Sequence, residues 1–320
     1  MKKTLLAGIF KRREFTVTGI IIILAITFGS LSTNFLSISN ITNIFIQISS
    51  IGIAAVGMTM VIITGGIDVS AGSILGIVAV ITAKAAIAGL PIPLILIFGI
   101  AIGVLLGGIN GSLVSFMGIP PIIVTLGTMS FFRAMVFQLL GGRWISSFPE
   151  AFRKISTGNF LNIPIPVWFM FLLAIIFTYY LEYRPTGRYI YAIGNNIEAA
   201  RVSGIPTKRV LLLVYIFAGM MYAIAGIVVA ARTGIVQTNT GSGFELSVIA
   251  ATVLGGTNIL GGEGSAIGSM LGALLVAIIT NGMILINFPA LTEGLIVGTI
   301  IIISVFTDIL KLRRRGYQYE

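Results

Sequence analysis

The 320-residue chain contains neither cysteine nor histidine. The first absence removes disulfides, thiolate metal ligands and cysteine nucleophiles. The second removes imidazole as proton relay, haem ligand or partner of a nucleophilic serine. Without histidine, a membrane-embedded hydrolase has no credible acid–base pair. No G-x-x-x-x-G-K-[ST] run occurs, so the chain cannot cradle nucleotide phosphates in that way. Any energy drawn from ATP has to come through another chain, and the residues imply no cofactor and no metal.

Charge is also scarce. Only 9% of residues are Asp, Glu, Lys or Arg, while 57% are hydrophobic; a soluble domain carries roughly a quarter charged residues. With a mean hydropathy of +1.07, the solvent that suits this surface is the bilayer, where each spanning helix needs about 20 mainly apolar residues. β-Barrel strands alternate apolar and polar positions; the runs here are apolar on every side. The fold class expected is therefore all-α: a polytopic membrane helix bundle with about ten segments, forming one domain over 1–320. The segments fall near 15–33, 41–63, 69–88, 91–116, 119–140, 164–183, 210–231, 246–262, 266–287 and 291–309. The eighth contains Gly255-Gly256-Thr257-Asn258, which marks it as a candidate broken or re-entrant segment. Glycines spaced by four, at 99, 103 and 107 and again at 264, 268 and 272, fit close helix contacts in lipid. Ala71–Gly76 and Ile267–Gly272 echo each other at the openings of two segments, a weak sign of duplicated halves.

Met1–Phe10 does not read as a cleavable signal, because its apolar run is short and leads into Lys11-Arg12-Arg13. It reads as a cytoplasmic arm before a retained first span. With that start, fourteen basic residues fall inside: Lys2, Lys3, Lys11, Arg12, Arg13, five between 184 and 209, Lys311 and Arg313–Arg315. Four fall outside: Arg143, Arg153, Lys154 and Arg232. The asymmetry predicts a multi-pass inner-membrane protein with both termini and the 184–209 loop in the cytoplasm. The net charge of +10 thus reports topology and does not imply nucleic acid.

The 184–209 loop is the one long polar stretch between spans. Asn195 and Glu198 form a capping-box-like start, and Gly204 and Pro206 end a helix of about two turns. So short a helix is marginal alone in water and needs a surface. Ala199 and Ala200 would offer a smooth face, with Arg201 adding charge. Two readings stand side by side: a docking helix, or a basic loop that only fixes topology.

Glu198-Ala199-Ala200-x-x-x-Gly204 resembles the EAA-x-x-x-G coupling motif by which permease subunits of ABC importers dock on their ATP-hydrolysing subunit. Gly187–Asn195 through Gly204-Ile205 is similar to the ribose-type branch, as are Gly57–Ser73, Ile119–Thr128, and Ile249–Thr257 with Gly261-Gly262-x-Gly264-Ser265. The branch commonly has Leu at Val69 and Val at Ala71. Gly141–Glu150 is similar to an autoinducer-2 and rhamnose subgroup. Over about 43–300 the resemblance implies a non-enzymatic permease subunit importing a monosaccharide or small polyol. It implies an ATP-binding subunit coupled at Glu198, Ala199, Ala200, Arg201 and Gly204. It also implies an external solute-binding protein, a second permease copy or paralogue, and surrounding membrane lipid.

Polar residues in apolar segments are candidates for the pathway or its gates: Asp68, Ser70, Asn110, Thr125, Gln138, Asn258 and Asn281. Each has an alternative reading. Asp68 or Ser70 can cap the third segment, and the amides can be interhelical hydrogen bonds. Lys84, near a helix end, can snorkel, while Arg133 lies deeper. An ion-coupled secondary transporter is the other functional class; it needs intramembrane carboxylates, and only Asp68, Glu293 and Asp308 border segments.

Overall fold

A computed structural model describes residues 13–289 together with 294, 295, 298, 299, 302 and 306. Most of the tenth expected segment, Glu293, Asp308 and the basic clusters at both ends of the chain lie outside these residues. The described chain is almost entirely helical: α1 (Arg13–Leu31), α2 (Ile38–Ile63), α3 (Ala71–Ile87), α4 (Ile92–Ser115), α5 (Pro121–Leu140), α6 (Glu150–Thr157), α7 (Ile165–Tyr183), α8 (Pro185–Asn195), α9 (Ile197–Val202), α10 (Thr207–Thr233), α11 (Phe244–Leu254) and α12 (Ala266–Leu285). Four two-residue strands, β1 (Ile145–Ser146), β2 (Asn159–Phe160), β3 (Ile163–Pro164) and β4 (Ile235–Val236), make two antiparallel pairs, β1 with β4 and β2 with β3.

Six helices among the described residues are long and apolar enough to cross a membrane: α2, α4, α5, α7, α10 and α12. The protein is an all-α, multi-pass membrane bundle. Among the described residues α3 and α11 are shorter apolar helices, and most of the tenth expected segment lies outside the described residues, so the count of about ten is not confirmed. The eighth segment is broken at Gly255-Gly256, where the sequence placed a candidate break. Its helix, α11, has 11 residues, roughly 16 Å at 1.5 Å per residue, about half the hydrocarbon thickness. It stops because Gly256 takes a positive φ of 95°, and the chain then runs without helix to Ser265, whose Oγ accepts from the Gly268 amide to start α12.

α2 and α10 form the centre. α2 is almost wholly buried, and α10 packs on α2, α3 and, most extensively, α4. The glycine ladder explains the last contact. A Cβ at Gly103 would strike the Gly219 carbonyl and Ala223, and one at Gly107 the Tyr215 carbonyl. In lipid, backbones brought this close are held by dispersion and not by a hydrophobic drive. The second ladder joins α12 to α11, Gly268 lying on Gly255 and Gly272 on Ala251.

The bundle has two distinct ends, marked by the two termini of α10. At one, β4 pairs with β1, bringing 141–164 and 234–243 together with Arg143, Arg153 and Arg232. At the other lie α8 and α9, the end of α2, and the α4–α5 turn. The echoed glycine motifs each open a helix, α3 and α12.

Candidate functional site

α9 is a six-residue helix. Its cap differs from the sequence expectation. Asn196, not Asn195, is the N-cap, its Oδ1 accepting from the Ala199 amide at 2.9 Å. Asn195 closes α8 and donates to the Tyr191 carbonyl. Glu198 makes no return bond to the cap but pairs with Arg201 at 3.1 Å; both side chains are largely exposed, so the pair contributes little. Gly204 takes a φ of +81°, the left-handed terminator that glycine supplies without strain.

Ala199 and Ala200 do not share a face. Ala200 is buried (4% exposed) against the chain's own bundle, while Ala199, Glu198, Arg201 and Val202 are exposed. Val202, at 88% exposure, is the most exposed large apolar side chain of α9, ahead of Ile197 at 39%. The outward surface is therefore Ala199 with Val202, flanked by the charged pair.

α8 ties α9 to the bundle. Tyr191 Oη donates to the Gly264 carbonyl at 2.8 Å. Burial, with the Glu182 charge adding to it, pushes this hydroxyl up to about 12. The Gly262 amide donates to the carbonyl of Ile63, the last residue of α2, at 2.9 Å. Gly194 fits into the same corner, where a Cβ would meet the Ile63 carbonyl and the Gly262 amide. Three backbones thus converge: the end of α2, the non-helical 255–265 segment, and α8. Next to it lies a cleft of about 410 Å³, bordered by Ile197 and Arg201 of α9, Lys208 of α10, and Ser115 to Pro121.

The structure brings four of the pathway candidates together. Between α2 and α3 the chain is non-helical through 64–70. Asp68 is buried there, with Oδ1 accepting from the Ser70 amide and hydroxyl at 2.9 and 2.6 Å. Asn110 Nδ2 donates to Ser70 Oγ at 2.8 Å, and Thr125 Oγ1 to the Ile67 carbonyl at 2.9 Å. Capping of α3 by side chains is corrected: Ser70 occupies the N-cap without a side-chain cap bond, and Asp68 accepts from Ser70 and faces the Tyr222 hydroxyl. Asp68 Oδ2, Asn110 Oδ1 and Tyr215 Oη, all buried, make no geometric hydrogen bond among the described residues.

A family described as "Branched-chain amino acid transport system / permease component" matches residues 40–305. This chain belongs to that family. The permease is 35% identical over 320 residues to the autoinducer 2 import system permease protein LsrC of Salmonella typhi, with 98% of this chain and 92% of that one covered. It is 36% identical over 295 residues to the LsrC protein of Photorhabdus luminescens, covering 91% and 89%. It is also 36% identical over 305 residues to the ribose import permease protein RbsC of Haemophilus influenzae, covering 94% of each. No solved structure matches the chain. The resemblance drawn from Glu198–Gly204 and the glycine-rich segments is borne out by these relatives, and membership makes the permease a transport component.

Three other candidates sit apart from Asp68. Asn281 exchanges hydrogen bonds with Asn40 at 2.9 Å in both directions, clasping α12 to α2. Asn258 serves its own loop, accepting from the Leu260 amide. Gln138 is exposed on α5. Lys84 reaches the Leu139 carbonyl from an exposed helix end, and Arg133 donates to the Thr240 carbonyl at 2.8 Å. Tyr191, Gly194, Ile63 and Val202 of the permease were not singled out from sequence. A tyrosine inside a basic amphipathic segment and a glycine before the cap are the signals by which two of them were open to being found.

Proposed function

We propose that this permease is the transmembrane subunit of an ABC importer, carrying a monosaccharide or closely related small polyol inward on ATP hydrolysed by a separate subunit. The whole chain acts as one transmembrane domain, paired with a second copy or a paralogue. The α8–α9 end and both termini face the cytoplasm. The β1–β4 end faces outward and receives the solute-binding protein. The fourteen-to-four distribution of basic residues supports this orientation.

One observation carries the reading. α9 is anchored by Asn196 and buried Ala200, turns Ala199 and Val202 outward, and connects through α8 to two non-helical segments inside the bundle. A partner pressing on α9 moves α8, and α8 cannot shift without displacing the Ile63–Gly262 bond. Glu198, Ala199, Ala200, Arg201 and Gly204 are the coupling set, with Ala200 acting inward. Asp68, Ser70, Asn110 and Thr125 form the gate beneath 64–70; Asn258 and Asn281 belong to the moving elements, and Gln138 to the surface of α5. Alternating access is then a change between two packings of these helices. The relatives' names, ribose and autoinducer 2, supply the solute class.

Reconstitution with an ATP-binding subunit and a solute-binding protein tests this. Labelled ribose or autoinducer 2 should accumulate only with ATP, and a single cysteine at Ser203 should react only from the cytoplasmic side. Accumulation driven by a proton or sodium gradient without ATP supports the ion-coupled alternative, with Asp68 as its carboxylate.

A further inference from the structure

A cavity of about 540 Å³ opens at the β1–β4 end of the bundle, within the range of small-molecule sites. Gln47 and Ser50 of α2, Arg232 of α10, and Ser242, Phe244 and Ser247 at the start of α11 border it. Gln47 lies nine residues into α2, roughly 14 Å by helical rise, so the cavity reaches from the bundle end toward its middle. Its floor is tight: a Cβ at Gly72 would strike the Gly241 carbonyl, and one at Gly76 the Thr240 carbonyl.

The wall chemistry is selective. Among the described residues that border the cavity none is a carboxylate; the nearest, Glu245, lies at the floor beside Gly72. Among the described residues, the side chains of Gln47, Arg232, Ser242 and Ser247 have no hydrogen-bond or ion-pair partner. A half-buried guanidinium and amide left in that state carry a desolvation cost that only water or a ligand offsets. The guanidinium fork suits two adjacent oxygen acceptors, serine hydroxyls both donate and accept, and Phe244 offers an apolar flank to a C–H face.

We propose that this cavity is the chamber in which the permease takes up its polyhydroxylated solute from outside, with Arg232 and Gln47 holding the hydroxyl groups. The proposal rests on the importer reading above and assigns its outer binding site. Opening the floor at Gly72 and Gly241 then passes the solute inward.

The test uses the complete importer in proteoliposomes, with the ATP-binding and solute-binding partners and single cysteines in the cysteine-free chain. An impermeant methanethiosulfonate should label Ser242→Cys at a rate that changes several-fold between the resting and the ATP–vanadate states. Phe160→Cys, exposed at the same end on β2, should label equally in both. In the second arm, Arg232→Gln and Gln47→Leu should each lower uptake of ribose or autoinducer 2 per ATP hydrolysed roughly tenfold, the effect of one lost charge-assisted or amide hydrogen bond. Equal labelling of Ser242→Cys in both states overturns the proposal, and so does unchanged uptake per ATP in both variants. Absence of uptake of either solute by the unmodified importer overturns the solute class instead; the labelling arm then decides the chamber.

Discussion

The Tyr191 hydroxyl and the Gly264 carbonyl, 73 positions apart, are joined by a hydrogen bond of 2.8 Å. It fastens α8, outside the spanning helices, to the non-helical segment that leads into α12. α9 follows α8 after one residue, so the two short helices share this anchor.

Tyr191→Phe should therefore leave membrane insertion normal and weaken transmission. The loss is about 1 kcal/mol, that of a single hydrogen bond, visible as a lower melting temperature and less uptake per ATP. The raised hydroxyl sets the pH window. The folded state holds this proton more tightly than the unfolded one, so its contribution is complete below about 10 and is lost as pH rises through about 12. Stability at this group should be flat from pH 6 to 9. A Tyr191-dependent alkaline loss below pH 9 contradicts the assignment.

Gly194→Ala and Gly204→Ala separate packing from backbone strain. At Gly194 the methyl meets the Ile63 carbonyl and Gly262 amide, and overpacking of this kind costs about 1–3 kcal/mol or more. At Gly204 a Cβ meets open space, so only the positive φ matters, at roughly 1 kcal/mol. Folded yield in detergent should fall sharply for the first and slightly for the second.

Val202→Asp and Ala200→Leu divide α9 by face. The exposed position should tolerate Asp without loss of folded protein, yet less ATP-binding subunit should co-purify. Ala200→Leu, in a buried site, should lower the melting temperature first. Equal subunit retention in Val202→Asp and the unaltered chain removes Val202 from the docking surface.

Asn281→Ala should cost about 0.6–1.7 kcal/mol, as interhelical polar bonds in membranes do, and leave Asn40 Oδ1 without a donor while Asn40 Nδ2 keeps the Phe35 carbonyl. The double variant Asn40→Ala with Asn281→Ala should lose less than the sum of the two single changes. Additive losses mean the clasp is not a coupled pair.

Much of the bundle was legible because lipid imposes one rule: apolar runs long enough to span become helices. Hence α2, α4, α5, α7 and α10 lie close to their expected bounds. The break in the eighth segment was legible in Gly255-Gly256-Thr257-Asn258, and α11 ends there; the path of the chain after it was not. The non-helical stretch that follows is held by partners far away in sequence, the Ile63 carbonyl above all, which no local pattern displays. At Asn195-Asn196 either residue can cap; the choice falls to Asn196 because α8 continues through Asn195. The orientation of Ala199 and Ala200 was illegible for a related reason. Two small neighbours on a short helix look alike until one knows which side the protein occupies. The cluster of Asp68, Ser70, Asn110 and Thr125 was predicted as four separate candidates, and the fold alone brought them to one place.

Because α9 commits only one side chain per turn to its own subunit, its outward residues are free of any duty to the fold. Ala199 and Val202 can be exchanged as a cassette while Asn196, Ala200 and Gly204 keep the helix in position. On the importer reading proposed above, motor choice and solute choice become separable, and exchanging Ala199 and Val202 should wire a chimera to an orthogonal ATPase without touching the pathway it drives.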